Sequence, residues 1–371
     1  MISTLTAILL LSLLVLVHEA GHFIAARRLG VGVIKFSIGF GPRVWGIVRG
    51  GTEYVIAAFP LGGFVKMVGE HEEEPDSAKN AATETPPPPP PPPPDPALSF
   101  ENKPVWARMI IIGAGPFANV LFAMVVFWAV FMAGVPMLLP EIGTVQPNYP
   151  AADAGLKAGD VITSIDSSPI ATWEDLTAIV HTSGGVERVF TIRRGTETLT
   201  MRITPRSSPS STIFGEATTV GLVGITPAER FMTRRYGPLD AAVLSVKRTV
   251  EIMRMTLVGI AKIFQRIVPA NTIGGPIMIV QMAGQQAQAG AMNLIFFSAF
   301  LSISLGLFNL FPIPVLDGGQ IWFLFFEALR GRPLSRRVKE ITQQVGLGLL
   351  LLLMIFAFYN DIMRVITGWG H

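Results

Sequence analysis

Four long apolar stretches interrupt the polar parts of this chain. They cover residues 2–26, 105–135, 294–311 and 345–366, and the last contains a run without charged side chains from 347 to 358. Each is close to the roughly 20 residues that an α-helix needs to cross a bilayer. The pattern therefore predicts a polytopic α-helical membrane protein with four transmembrane helices.

Between the first two stretches, residues 31–69 are rich in glycine, and apolar and polar side chains alternate. The alternation is clearest over residues 34–41 and 52–59. Alternation with period two, broken by glycine turns, is typical of β-hairpins. Because this segment is too apolar for an ordinary soluble loop, we predict a membrane-associated β-hairpin region.

Residues 70–103 differ in composition from their surroundings. An acidic cluster that starts at Glu70 is followed by nine consecutive prolines, residues 86–94. This composition is typical of a disordered or polyproline spacer, and an SH3-type ligand is the alternative.

The segment between the second and third stretches predicts a small α/β domain. Its strand-like runs are residues 142–145, 161–165, 189–193 and 199–203, and its helix-like run is 173–180. Residues 207–235 are rich in Ser, Pro and Gly and predict a connection, and residues 238–267 predict an amphipathic helix. The predicted parts, in chain order, are transmembrane helix 1 (1–30), the β-hairpin region (31–69), the acidic and Pro-rich linker (70–103), transmembrane helix 2 (104–135), the small domain (140–206), the connector with the amphipathic helix (207–268), transmembrane helix 3 (269–328) and transmembrane helix 4 with the C-terminus (340–371).

Composition agrees with a membrane protein. Half of the residues are hydrophobic and only 15% are charged, against about a quarter in soluble domains. The net charge of +3 comes without a dense basic patch, so we expect no nucleic-acid partner. The chain has no cysteine, which excludes disulfides and thiolate zinc ligands. Its first basic residue, Arg27, follows the first apolar stretch, so we expect a retained helix rather than a signal peptide.

A His18-Glu19-Ala20-Gly21-His22 sequence lies near the end of the first apolar stretch. In an α-helix, residues four apart lie on one face, so His18 and His22 can bind one metal. The spacing is that of the HExxH zinc hydrolases, in which the glutamate acts as general base toward water at the metal. Ionisable side chains at membrane depth indicate function.

Two less specific interpretations compete with the metal site. A chance match is rare in a chain with only 5 histidines. Two structural core histidines would each need polar partners in a bilayer, and so would Glu19. We therefore favour a zinc site.

A third protein ligand is needed, since catalytic zinc usually has three. The other histidines lie in the linker, in the small domain and at the C-terminus. Asp317 is the only acidic residue between Glu251 and Glu327, and it follows a Pro-broken, Gly-rich end of the third stretch. Irregular backbone at membrane depth is tolerated where it lines a watery cavity, so we predict Asp317 as the third ligand. A purely helix-capping Asp317 is the alternative.

Positive side chains flank one set of ends of the four stretches. They are Arg27, Arg28 and Lys35 after the first, Lys103 and Arg108 at the second, and Arg330, Arg332, Arg336, Arg337 and Lys339 between the third and fourth. The positive-inside rule makes this side cytoplasmic. Both termini and residues 136–290 are then expected on the outer side, with the site nearer the cytoplasm.

Residues 154–162, Ala-Gly-Leu-Lys-Ala-Gly-Asp-Val-Ile, resemble a PDZ domain in its circularly permuted bacterial form. Such domains bind an extended peptide by adding it to a sheet edge. The resemblance implies that the domain takes a peptide or the outer region of a substrate. A domain that only excludes bulky substrates is the alternative.

Motifs along nearly the whole chain occur in an order that resembles one family, the RseP branch of the site-2 protease intramembrane zinc metalloproteases. They are HEAGH at 18–22, the Gly-rich runs at 36–41, 51–54 and 60–67, Gly-Pro-Phe-Ala-Asn at 115–119, one PDZ-like domain, Gly-Gly-Pro at 274–276 and the run 309–319.

This resemblance implies that His18, His22 and Asp317 bind Zn²⁺ and that Glu19 is the catalytic acid and base. It also implies that Asn309, Pro312 and Pro314 shape substrate binding, that Asn119 supports the core near the metal, and that residues 52–67 present the substrate as an extended strand.

The implied substrates are single-pass transmembrane proteins, either anti-sigma factors already trimmed on the outer side or remnant signal peptides. The implied location is the bacterial inner membrane, in contact with lipid, with the PDZ-like domain and both termini in the periplasm.

Three features depart from the family pattern. There is one PDZ-like domain where some relatives have two, Ser304 stands where some have a second Asn, and the proline run matches no motif of the family. Two other classes remain alternatives: a membrane metal transporter, because intramembrane His and Asp also mark ion pathways, and a catalytically inactive PDZ scaffold.

Overall fold

The computed structural model describes residues 2–70, 95–212 and 214–367. Its α-helices are α1 (Ile2–Arg28), α2 (Val105–Ala133), α3 (Pro150–Asp153), α4 (Trp173–His181), α5 (Pro238–Phe264), α6 (Pro276–Ala289), α7 (Ala291–Asn309), α8 (Asp317–Arg330) and α9 (Arg336–Thr367). Its strands are β1 (Val33–Arg49), β2 (Thr52–Met67), β3 (Val135–Leu138), β4 (Ile142–Val145), β5 (Val161–Ile165), β6 (Ser168–Pro169), β7 (Arg188–Arg194), β8 (Glu197–Ile203), β9 (Arg206–Ser211), β10 (Ala217–Leu222), β11 (Ile225–Pro227) and β12 (Phe231–Arg234).

Four described helices are long and apolar enough to cross a membrane, which confirms the four predicted spans. They are Thr4–Arg28, Val105–Ala133, Ala291–Asn309 and Arg337–Thr367. The part predicted as transmembrane helix 3, residues 269–328, is not one helix. It contains α6, the span α7 and then α8, which begins at Asp317 after the Pro-containing turn.

The chain divides into two compact units. The first contains Met1–Phe127, Val246–Arg254 and Asn271–His371, and the second contains Trp128–Ser245 and Met255–Ala270. The predicted linker falls mostly on residues 71–94, which lie outside the described residues.

In the first unit, β1 and β2 form one long antiparallel hairpin. Its turn is made by Gly50 and Gly51, both with positive φ, which glycine adopts without strain. One end packs on α1 and α2, where Val33, Met67 and Ile111 share an apolar cluster. Near the turn, large apolar side chains are exposed, and Val44 is 70% exposed.

In the first unit, hydrogen bonds also join α9 to the start of α6. The buried Asp361 carboxylate accepts hydrogen bonds from the backbone N–H groups of Gly275 at 2.9 Å and Met278 at 3.0 Å. Free N–H groups at a helix start are stabilised by such an acceptor. The C-terminal part of α9 is therefore fixed to the start of α6.

In the second unit, a four-stranded sheet in the order β6-β5-β7-β8 packs with α4 on an apolar core. We call residues 140–227 the small β domain. Thr172 and Asp175 form a capping box that starts α4. The predicted connector at 207–235 is wrong in detail, because β9 to β12 lie there and pair with one another or with β3 and β4. The partners of β11 and β12, strands β4 and β3, lie far away in sequence. Strands β9 and β10 form a local hairpin, but the Ser- and Pro-rich composition of β9 did not reveal it.

Candidate metal centre

Helix α1 carries both histidines on one face. His18 and His22 are buried, and their Nε2 atoms lie 3.2 Å apart. The rings meet edge to face. The i, i+4 spacing of the sequence thus becomes a pair of imidazoles aimed at one point.

Helix α2 approaches α1 closely because small residues line the crossing. A Cβ on Gly21 would lie 2.2 Å from the carbonyl oxygen of Ala114, and a Cβ on Gly115 would lie 2.3 Å from His22 Nε2. A carbon that close overlaps the other atom, so any larger residue must displace the helix or the ring. These two glycines create the space in which the imidazoles lie.

The same helix fixes the proton of each imidazole. His22 Nδ1 lies 2.9 Å from the backbone oxygen of Ile111 and must donate to it. In a neutral ring this leaves the lone pair on Nε2, the atom that faces His18. A carbonyl in this position is the usual partner of a metal-ligating histidine.

Asn119 makes the equivalent contact with His18. Its amide nitrogen lies 3.1 Å from His18 Nδ1, while its Oδ1 is buried and has no hydrogen-bond partner among the described residues. Turning the amide by 180° lets Oδ1 accept a hydrogen bond from a protonated His18 Nδ1. The Asn119 backbone is held in turn by Ser302 of α7, whose hydroxyl donates to the Asn119 carbonyl at 2.8 Å.

Asp317 is the first residue of α8, directly after the turn that ends α7. Gly318 and Gly319 let that turn fold back on the start of the helix. Added Cβ atoms would lie 2.2 Å from the carbonyl oxygens of Leu310 and Ile313, respectively. The Pro and Gly residues of the sequence motif therefore place one carboxylate.

The three predicted ligand atoms converge. Asp317 Oδ2 lies 3.0 Å from His18 Nε2 and 3.6 Å from His22 Nε2, and it accepts no well-directed hydrogen bond from any described residue. Around a tetrahedral zinc with ligand distances of about 2.0–2.2 Å, neighbouring ligand atoms lie about 3.3–3.6 Å apart. The lone pairs on the two histidine Nε2 atoms and the Asp317 carboxylate oxygen therefore have the spacing that a cation bound between them requires.

Glu19 lies beside this centre on α1. The position of a Cβ on Gly63 of β2 is 3.6 Å from Glu19 Cγ, so the glutamate lies against the strand. Asn309 ends α7, and Pro312 and Pro314 lie in the turn that follows. Pro314 also packs against α9, where a Cβ on Gly346 would be 3.0 Å from its ring. The structure thus brings His18, His22 and Asp317 together, whereas no hydrogen bond between described residues joins Asn309 to these three side chains.

The way in which α2 builds this site does not follow from the local sequence patterns. Gly115 and Asn119 were named only through the family resemblance, and the roles of Gly21 and the Ile111 carbonyl were not expected. The spacing of residues 111, 115 and 119, four apart along one helix face, is the signal that could have revealed them.

Comparison with known proteins finds one family along nearly the whole chain. A model of peptidase family M50 matches residues 6–353. The regulator of sigma-E protease RseP of Escherichia coli strain K12 is 32% identical over 462 aligned positions, which cover 96% of this chain and 98% of that protein. A candidate zinc metalloprotease of Agrobacterium fabrum is 34% identical over 364 positions, which cover 97% of this chain and 95% of that protein.

The alignment with the Escherichia coli protein is longer than this chain, so that relative carries segments that are missing here. Among solved structures, the PDZ domain of an SdrC-like protein from Listeria monocytogenes is 24% identical over 24% of this chain and 84% of that chain, with a TM-score of 0.19.

Proposed function

The chain belongs to peptidase family M50, and from this premise we propose how its residues carry out proteolysis within a membrane. The family match and the RseP relatives make the protein a zinc metalloprotease of regulated intramembrane proteolysis. They also support a multi-spanning protein of the bacterial inner membrane. Its site residues, topology and substrates are the proposal.

His18, His22 and Asp317 would hold the Zn²⁺ ion. When bound, the ion supplies Lewis acidity, which lowers the pKa of a coordinated water and polarises a peptide carbonyl. Glu19 takes the proton from the attacking water and then delivers it to the leaving amine. The Ile111 carbonyl and Asn119 keep both imidazoles in the tautomer that leaves Nε2 free.

The substrate must be locally unwound, because a helix protects its own amides in hydrogen bonds. Strand β2 passes Glu19 at Gly63, so an extended substrate segment beside β2 would lie near the site. We assign residues 52–67 to this presentation, and Asn309, Pro312 and Pro314 to the substrate-facing wall of the turn.

The distribution of positive charge supports a topology with the small β domain and both termini in the periplasm and the site toward the cytoplasm. This domain contains a groove of about 300 Å³ between α4 and residues 222–227, lined by apolar side chains that include Leu176 and Val180. We propose that this circularly permuted PDZ-like domain takes the periplasmic region of a single-pass substrate, such as a trimmed anti-sigma factor or a remnant signal peptide. Filling the groove with Thr177→Trp should slow cleavage of a substrate with a periplasmic tail and spare one without it.

The convergence of His18, His22 and Asp317 beside Glu19 carries this proposal. Its test is cleavage of a single-pass model substrate by the purified protein in proteoliposomes. Wild type should cleave, Glu19→Gln should not, and 1,10-phenanthroline should stop cleavage until zinc is restored. Cleavage by Glu19→Gln at the wild-type rate would contradict the proposal.

A further inference from the structure

A buried ion pair joins α2 to α8 away from the ligand atoms. Arg108 Nη2 bonds to Glu327 Oε1, and Nη1 lies 3.3 Å from Oε2. Both side chains are only 10% exposed. Arg108 Nε also donates to the carbonyl of Lys103 at 3.0 Å, so the guanidinium is fixed on both sides. A two-pronged contact of this kind sets orientation as well as distance.

The ion pair shares a helix face with the metal centre on both helices. On α2, Arg108 lies three and seven residues before Ile111 and Gly115, which contact His22. On α8, Glu327 lies ten residues after Asp317, about 15 Å along the axis and within about 80° around it. Along α2, a distance of about 15 Å likewise separates Arg108 from the part of the helix that lies beside His18 and His22. The two helices thus meet at the metal centre and again at the ion pair.

Between these two contacts, Ile321 of α8 approaches Gly113 of α2, but a cavity that also borders β2 and α9 interrupts the packing. The cavity has a volume of about 660 Å³, and its wall includes Ile112 of α2, Gln320 and Leu324 of α8, and both members of the ion pair. A cavity wall lacks the interlocking contacts that hold packed helices in register. The ion pair therefore adds a directional contact to the limited packing between the two helices.

A small rotation of α8 would matter at the metal. Side-chain atoms lie roughly 5–6 Å from a helix axis, so a 20° turn moves a carboxylate oxygen by about 2 Å. Metal–ligand distances tolerate only about 0.2 Å. Something must therefore fix the rotation and axial position of α8.

We propose that Arg108 and Glu327 are positioning residues that hold Asp317 at ligand distance from His18 and His22. The inference rests on the proposed zinc site. According to this proposal, the ion pair raises the affinity for the metal. This role is additional to the avoidance of an unpaired buried charge.

The test measures zinc affinity of the full-length protein in detergent by competition with a chromophoric chelator, together with the thermal midpoint of the metal-free protein. Glu327→Gln and Arg108→Gln each break the two-pronged contact between these side chains. Each should weaken zinc binding at least 10-fold, because losing a contact that orients a metal ligand commonly does so. The double variant Arg108→Met with Glu327→Met removes both charges at similar volume and guards against simple unfolding. It should keep the metal-free midpoint and still bind zinc at least 10-fold more weakly. Asp166→Asn, which breaks the Arg188–Asp166 ion pair of the small β domain, is the control and should leave zinc affinity unchanged.

Wild-type zinc affinity in both single variants would overturn the proposal. So would a double methionine variant with wild-type affinity, because the ion pair would then act only by avoiding an unpaired charge. A wild-type protein that binds no zinc would overturn the proposed function itself, which separates the two failures.

Discussion

The small β domain and the metal centre each contain a group of buried side chains, but the side chains are of opposite kinds. The domain hides apolar groups, with Phe190, Ile162 and Ile192 at 0% exposure. The metal centre hides His18 and His22, together with the amide of Asn119. An apolar core tolerates changes of similar volume. A polar core depends on the direction of each hydrogen bond, so small errors there should cost function before they cost the fold.

The sharpest test of this contrast is one added methyl group on α2. Gly115→Ala places a carbon 2.3 Å from His22 Nε2, so bound zinc and proteolysis should both fall to near zero. Gly113→Ala is the matched control, because the added carbon would lie 3.8 Å from its nearest neighbour, the Ile321 Cδ1 methyl, which is an ordinary contact. Zinc content by mass spectrometry and helix content by circular dichroism check both variants. Equal zinc content in Gly115→Ala and Gly113→Ala would contradict the contrast between the polar and the apolar core.

In the apolar core, Phe190→Ala should destabilise the small β domain by about 3–5 kcal/mol, because it removes a fully buried ring. Zinc content should stay at the wild-type level. Hydrogen exchange on β5 and β7 reports the loss, and Val189→Ala, on a side chain that is 37% exposed, should show little of it. A zinc loss in Phe190→Ala would mean that the two cores are not independent.

A polar contact one step from the metal should have an intermediate effect. Asn119→Ala removes the partner of His18 Nδ1 and should weaken zinc binding by about 10–100-fold. Asn119→Asp keeps an oxygen acceptor and should retain most of the affinity, as measured by chelator competition. Loss in Asn119→Asp equal to that in Asn119→Ala would contradict the assigned amide orientation.

The smallest expected effect is on the stability of the small β domain when the ion pair between Asp160 and Arg194 is lost. Burial would raise the pKa of the Asp160 carboxyl, but hydrogen bonds from Arg194 and from the Lys157 backbone hold it below its ordinary value. Asp160→Asn should cost only about 1 kcal/mol at pH 7, since Arg194 is about one-third exposed to solvent.

The pH dependence of this effect has a defined sign. A lowered native pKa stabilises the fold above the unfolded value of about 3.9, and the stabilisation is lost as pH falls through the native pKa. The difference between wild type and Asp160→Asn in urea unfolding should therefore be constant from pH 5 to 7 and shrink below pH 4. A difference that grows in acid would be contrary to this account.

The two regions also differ in how far sequence predicts them. Strands 142–145 and 161–165 follow from local alternation, and their bounds in the structure are the same. Strands β11 and β12 were missed because they pair with β4 and β3, which are distant in sequence. The β9–β10 hairpin is local, but Ser and Pro dominate β9 and conceal it.

At the metal centre, residue types and spacing indicated His18, His22 and Asp317. They could not show that Gly115 makes room for a ring or that the Ile111 carbonyl orients one, because those facts depend on where α2 crosses α1. The Arg108–Glu327 contact joins residues 219 apart and has no local signal.

Zinc stoichiometry in purified ligand variants tests the central claim most directly. Wild type and Glu19→Gln should each hold about one tightly bound zinc, since Glu19 is assigned to proton transfer and not to binding. Asp317→Ala and His22→Ala should hold almost none at the same free zinc concentration. Wild-type zinc content in Asp317→Ala, or its loss in Glu19→Gln, would contradict a site built from α1 and α8.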